Sequence, residues 1–183
     1  MIRSFNEIRE ICSDGSFYVV PRLFTKILII SIRKQQRFLP SIFVLMNNRS
    51  KDIYKAVFEE IKEIVPTFLP QKAICDFELA AINAIKEAFQ DIEVQGCYFH
   101  YLQANIRKLG TLGLKNFYTK NSQAKSFFKM VFGIGFLNQT DMDPTFEHIS
   151  QILIGNSTQQ PKSNSSSTTL VISCYPRYPC SAG

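Results

Sequence analysis

The chain has 183 residues, 45% of them hydrophobic and 20% charged, enough for one domain with a core plus a tail. Its most apolar stretch, Ile27–Ile30, is bracketed by Lys26 and Ser31, so no run approaches the roughly 18 apolar residues of a membrane-spanning helix. The formal charge of +6 is compatible with a polyanionic partner and equally with an ordinary solvated surface.

The N-terminus lacks a basic lead followed by an apolar signal core, so a cytosolic or nuclear protein is expected. There Cys12, Cys75, Cys97, Cys174 and Cys180 stay reduced. The first elements read as a three-strand meander: an apolar segment from about Glu7 into Cys12–Asp14, then Arg22–Ile32, then Phe38–Met46. The short polar link Arg33–Arg37 forms a hairpin between the last two. Pro21 and Pro40 lie near strand starts, where a missing amide donor costs least.

The period then changes. Ser50 caps a helix over Lys51–Val65 with Ile53, Val57, Ile61 and Ile64 on one face, closed by Pro66. A strand at Lys72–Cys75 leads to Asp76 and a helix to Phe89 with Leu79, Ile82, Ile85 and Phe89 aligned; Ile92–Phe99 alternates as a half-buried strand. Beyond His100 the chain reads as helical. One stripe is Leu102, Ile106 and Leu109, ended by Gly110; another is Phe127, Phe128 and Val131; and Asp143-Pro144 starts a last helix through Leu153. From Gly155 the Ser/Thr-rich composition is too polar to pack and predicts disorder.

Asp14 follows the first strand and Asp76 the fourth. Two carboxylates at the ends of neighbouring strands suit Mg²⁺, which prefers oxygen ligands, and are half of a two-metal phosphodiester-cleaving site. Each also has a structural reading: Asp14-Gly15 is a turn dipeptide, and Asp76 is placed as an N-cap with Glu78 favourably near the helix dipole. Cys97 and His100 have the spacing of half a zinc site; the alternative is a buried thiol and a locally bonded imidazole. Arg107, Lys108, Lys115, Lys120, Lys125 and Lys129, interleaved with Tyr118, Phe127 and Phe128, have the composition of a phosphate-tracking face, although aromatics at helical spacing more often form core.

Four stretches resemble MULE (Mutator-like element) transposase domains. Asp14-Gly15-Ser16-Phe17, with Pro21 and the following strand, resembles the segment bearing the first catalytic aspartate. Phe43–Ser50 with Tyr54 and Phe58 resembles the family's strand–turn–helix stretch. Ala73–Ala81 resembles the segment with the second aspartate, and Gly96-Cys97-Tyr98-Phe99-His100 its Cys-x-x-His element. The resemblance spans Ile11 to Leu153. It implies an α/β, RNase H-like mixed sheet (β-β-β-α-β-α-β), followed by the start of an all-helical insertion. Residues 7–110 would then be a partial catalytic core, 111–154 the helical segment and 155–183 a disordered tail.

The resemblance further implies a nuclear protein with DNA as partner, performing Mg²⁺-dependent cleavage at element ends and strand transfer. Asp14 and Asp76 are then the first two members of an Asp-Asp-Glu triad. The third, on a later helix of the family, has no match here: Glu147, between Phe146 and His148, does not resemble it, and Glu78 is expected to point around its helix from Asp76 and be exposed. The expectation is therefore a truncated, catalytically incomplete transposase piece, prone to self-association through exposed apolar surface; the alternative is a non-catalytic, domesticated DNA- or protein-binding module.

Overall fold

The computed structural model describes residues 8–16 and 20–157, and the chain divides into two compact units, residues 1–97 and 98–183. The first unit contains β1 (Glu10–Ser16), β2 (Lys26–Lys34), β3 (Arg37–Met46), α1 (Lys51–Ile64), β4 (Lys72–Cys75), α2 (Leu79–Ala88) and β5 (Glu93–Gly96). The expected β-β-β-α-β-α-β succession is present. The strands form one mixed sheet of order β3-β2-β1-β4-β5. β1 to β3 are antiparallel neighbours, whereas β4 runs parallel to both β1 and β5.

Period-two alternation sets the faces of the sheet. Ile11 and Ser13 of β1, Lys26, Leu28 and Ile30 of β2, and Ala73 and Cys75 of β4 are buried; Cys12 is half-buried and Asp14 exposed. The apolar members of the buried set join residues of α1 and α2 in one core. Within that core Phe89 stands edge-on to both Phe58 and Phe68, an arrangement that suits the ring quadrupoles.

Ser50 caps α1 as expected, its Oγ accepting from the Ile53 N–H at 3.4 Å. The buried stripe is rotated from the expected one, however: Tyr54, Phe58 and Ile61 face the core while Ile64 is exposed. Spacings of three and four satisfy both stripes, and the larger aromatic rings fill the space against the sheet. In α2 Leu79 is likewise exposed, and Ala81, Ala84 and Ala88 join Ile82 and Ile85 inside.

Other boundaries also differ. β2 begins at Lys26 rather than Arg22, because residues 21–25 turn, with the Phe24 N–H bonded to the Pro21 carbonyl. Pro40 lies within edge strand β3, beside a register shift opposite Ile30 and Ser31, rather than at its start. A bulge on an edge strand tolerates the missing donor.

The second unit is helical through the described residues: α3 (Tyr98–Thr111), α4 (Lys115–Lys120), α5 (Ser122–Gly133), a 3₁₀ turn (Ile134–Phe136) and α6 (Gln139–Ser157). Leu109, Ala124, Phe127, Phe128, Val131, Phe132, Ile134 and Ile149 make its core. Phe127 and Phe128 are therefore unavailable for base stacking, while the six flanking basic residues named above are all exposed. The last helix starts at Gln139, about a turn before the Asp143-Pro144 start expected, and carries Pro144 inside it. The expected disordered segment 155–183 begins within α6 and from residue 158 lies outside the described residues. Among the described residues no helix is long and apolar enough to cross a membrane.

Candidate functional site

The parallel pairing of β1 with β4 determines where the two aspartates stand. Its last rungs are Cys12 with Ile74 and Ser13 with Cys75, so the next residue on each strand is Asp14 and Asp76. On the other side of β4, Cys75 pairs with Gly96, and the Cys97 N–H continues the ladder to the Cys75 carbonyl at 2.7 Å. Asp14, Asp76 and Cys97 thus form one row across the carboxyl ends of three adjacent strands. Neighbouring strands lie about 4.8 Å apart, so Asp14 and Asp76 are neighbours across β1 and the end of β4. Asp14 lies inside β1, which continues to Ser16, rather than after the strand as the sequence reading had it.

Backbone bonds orient each carboxylate locally. The Gly15 N–H donates to Asp14 Oδ1 at 2.8 Å, and the Glu78 N–H donates to Asp76 Oδ1 at 3.3 Å. Asp76 is not the cap of α2: Glu78 occupies that position, without a side-chain cap bond, and residues 76–78 form a short irregular link between strand and helix.

Two contacts hold that link. Phe77 covers Gly96 so closely that a Cβ there would lie 2.4 Å from Phe77 Cε1. Glu78, expected to be exposed, instead bonds to Lys26: Nζ donates to Glu78 Oε2 at 2.8 Å and to Tyr54 Oη at 2.6 Å, and Tyr54 Oη donates to the same Oε2 at 3.0 Å. The Lys26 side chain is 1% exposed and that of Glu78 22%. Burial alone pulls the Lys26 ammonium down, but its bonds to Glu78 and Tyr54 outweigh that, leaving its pKa raised. Burial pushes the Tyr54 hydroxyl up to about 12 despite the opposing effect of Lys26. The sequence marks Tyr54 only as part of the family-like strand–turn–helix stretch, and gives neither its role here nor Lys26 as a site residue. The available signal was period two, which puts Lys26 on the face of Leu28 and Ile30.

Cys12 stands two residues before Asp14 on β1 and so on the same face. Burial, then the neighbouring Cys97, Asp14 and Glu10, push its thiol up to about 11. Cys97 is half-buried at the end of the first unit, and His100 is in the first turn of α3, in the second. Among the described residues no three His, Cys, Asp or Glu side chains gather into a metal-holding group. Glu147 is exposed on α6 in the second unit.

The donor chemistry of the carboxylate pair fits Mg²⁺, which is commonly bound through one or two carboxylates, with waters and substrate phosphate oxygens completing its shell. An open depression lined by Thr25, Asn47, Asn48 and Arg49 lies at the same end of the sheet, by the starting end of β2 and the final end of β3. It does not include the aspartates.

Residues 12–104, just over half of the chain, match the MULE transposase domain, and the chain belongs to that family. The matched stretch contains Asp14, Asp76, Cys97 and His100 and ends within α3, short of the Leu153 limit read from sequence. A comparison with curated proteins finds no match.

Proposed function

We propose that the first unit is an RNase H-like catalytic core of a DNA transposase, in which Asp14 and Asp76 hold a divalent metal, and that this chain alone is catalytically incomplete. The observation that carries this reading is the register placing the two aspartates side by side on adjacent parallel strands. The strand order, with an antiparallel meander joined to parallel β4 and β5, supports the RNase H-like assignment. Bound there, Mg²⁺ would supply Lewis-acid activation of a phosphodiester and lower the pKa of a bound water or hydroxyl. The chain's own part is to orient the two carboxylates through the backbone N–H groups of Gly15 and Glu78.

Incompleteness follows from the carboxylates nearby. Glu78, the closest in sequence to Asp76, is committed to Lys26, and two carboxylates without a third leave the nucleophile poorly placed. The partition into a partial core (7–110), a helical segment (111–154) and a polar tail (155–183) belongs to this reading, as do DNA as the partner, a nuclear location, and self-association through exposed side chains such as Phe43 and Leu45 of edge strand β3. Cys97 and His100 are assigned as part of the family signature, not as a complete zinc site.

The deciding experiment is nicking of supercoiled plasmid with Mg²⁺ or Mn²⁺, paired with Mn²⁺ binding, on the wild-type chain, Asp14→Ala and Asp76→Ala. The expected result is Mn²⁺ binding that both substitutions remove, with no nicking. Nicking lost in both variants would overturn the incompleteness; no Mn²⁺ binding by the wild type would overturn the metal assignment. The exposed basic residues of the second unit favour one alternative, a non-catalytic DNA-binding module. Salt-dependent DNA binding that persists in both variants without metal is its signature.

A further inference from the structure

We propose that Lys26, Tyr54 and Glu78 form a positioning network that fixes the carboxylate of Asp76 beside Asp14; the inference rests on reading those two aspartates as the metal pair. Three elements distant in sequence converge: β2 supplies Lys26, α1 supplies Tyr54, and the link after β4 supplies Glu78. Their polar atoms lie 2.6 to 3.0 Å apart. The backbone N–H of the same Glu78 donates to Asp76 Oδ1, so whatever anchors residue 78 also aims the aspartate.

The choice of residues argues for a role beyond cohesion. Burying the Lys26 ammonium carries a desolvation cost that an apolar side chain of the same length would avoid. What its pairing with Glu78 supplies is direction, since charged hydrogen bonds hold a geometry that apolar packing does not. The chain also makes room for it next to the site. A Cβ on Gly15, the neighbour of Asp14, would lie 1.8 Å from Lys26 Cε, so the lysine passes beneath β1 only because residue 15 is glycine. Phe77 against Gly96 closes the other side of the link. None of the three network residues is placed on metal or substrate; they act through Asp76.

The test uses the full chain and a double variant, Lys26→Met with Glu78→Gln, which removes both charges and strands neither. Two quantities are read: Mn²⁺ affinity by water-proton relaxation, and hydrogen exchange of the Glu78 amide without metal. With cooperative melting retained, affinity is expected to fall about 10- to 100-fold, as for other groups that orient metal-binding carboxylates. The Glu78 amide should lose protection while Ile30 and Ala73 keep theirs. Wild-type affinity together with a protected Glu78 amide would overturn the proposal. If the wild type binds no Mn²⁺, the metal assignment fails, and the Glu78 amide alone decides whether the network holds the link. Should the double variant not fold, Tyr54→Phe, which deletes one hydroxyl, is read the same way: retained affinity and protection count against the proposal, reduced values for it.

Discussion

Lys26 runs beneath Gly15 with no space for a side chain between them: a β-carbon on residue 15 would sit 1.8 Å from Lys26 Cε. Because the lysine is pinned at its far end by Tyr54 and Glu78, it cannot step aside cheaply. Gly15→Ala is therefore expected to destabilise the first unit by about 1–3 kcal/mol, from overpacking against the buried lysine, measured by urea denaturation. Gly110→Ala, in α3 where an added Cβ meets nothing within 4 Å, should instead stabilise by roughly 0.5–1 kcal/mol.

Gly96 and Phe77 form the second close approach. Gly96→Ala should cost about 1–3 kcal/mol through overpacking, and Phe77→Leu in the same chain should recover part of that loss by vacating the space. A double variant no more stable than Gly96→Ala alone would show that the clash lies elsewhere. Thermal melting of the three variants decides it.

The network also sets a dependence on alkaline pH. In the unfolded chain Tyr54 releases its proton near its ordinary value of 10.0, whereas in the folded chain it holds it to about 12. Between those values the folded state binds more protons, so stability falls as pH rises. Lys26, whose pKa is also raised, acts with the same sign: its contribution is complete below the unfolded value and is lost as pH climbs through the folded one. Denaturation midpoints should decline above about pH 10, and Tyr54→Phe should flatten that decline.

Cys12 reports on the neighbourhood of Asp14. With its thiol pushed up to about 11 by burial first and by the adjacent Cys97, Asp14 and Glu10 after it, it is almost wholly protonated at neutral pH and should alkylate slowly. Asp14→Asn removes one of the charges that raise it, so iodoacetamide labelling at Cys12 should become faster. An unchanged rate in the folded variant would place the Asp14 carboxylate farther away than its row in the sheet implies.

Local signals account for what the sequence revealed. The strand Lys72–Cys75 was legible to the residue because Asp76 ends its apolar run; Ser50 marked the start of α1. Where two geometries share one pattern, the reading slipped. Tyr98 and Phe99 extend the alternation of β5, yet the strand ends at Gly96 and both residues open α3. Asp143-Pro144 has the chemistry of a helix start and sits within α6.

The candidate site divides in the same way. Asp14 and Asp76 stand out as candidates through the residues around them, and strand register puts them in one row. Glu78 was misjudged because helix periodicity says nothing of a lysine arriving from β2, whose position depends on how β1 and β2 pair. An ion pair between residues so far apart in sequence is a tertiary event, invisible to any local window.

Strand order carries a kinetic consequence. Ile11 pairs with Ile32 through one connection and with Ala73 only across the whole of β2, β3 and α1. Because the entropy of closing a loop grows with its length, and distant pairings slow folding, the β1–β3 meander is expected to form before β4 docks. Asp14 then waits on a preformed ribbon without its partner, and the row it shares with Asp76 comes into existence only when β4 docks. On the metal reading proposed above, a cation held by Asp14 and Asp76 would favour the docked sheet over the species preceding it, acting as a latch on that step of folding.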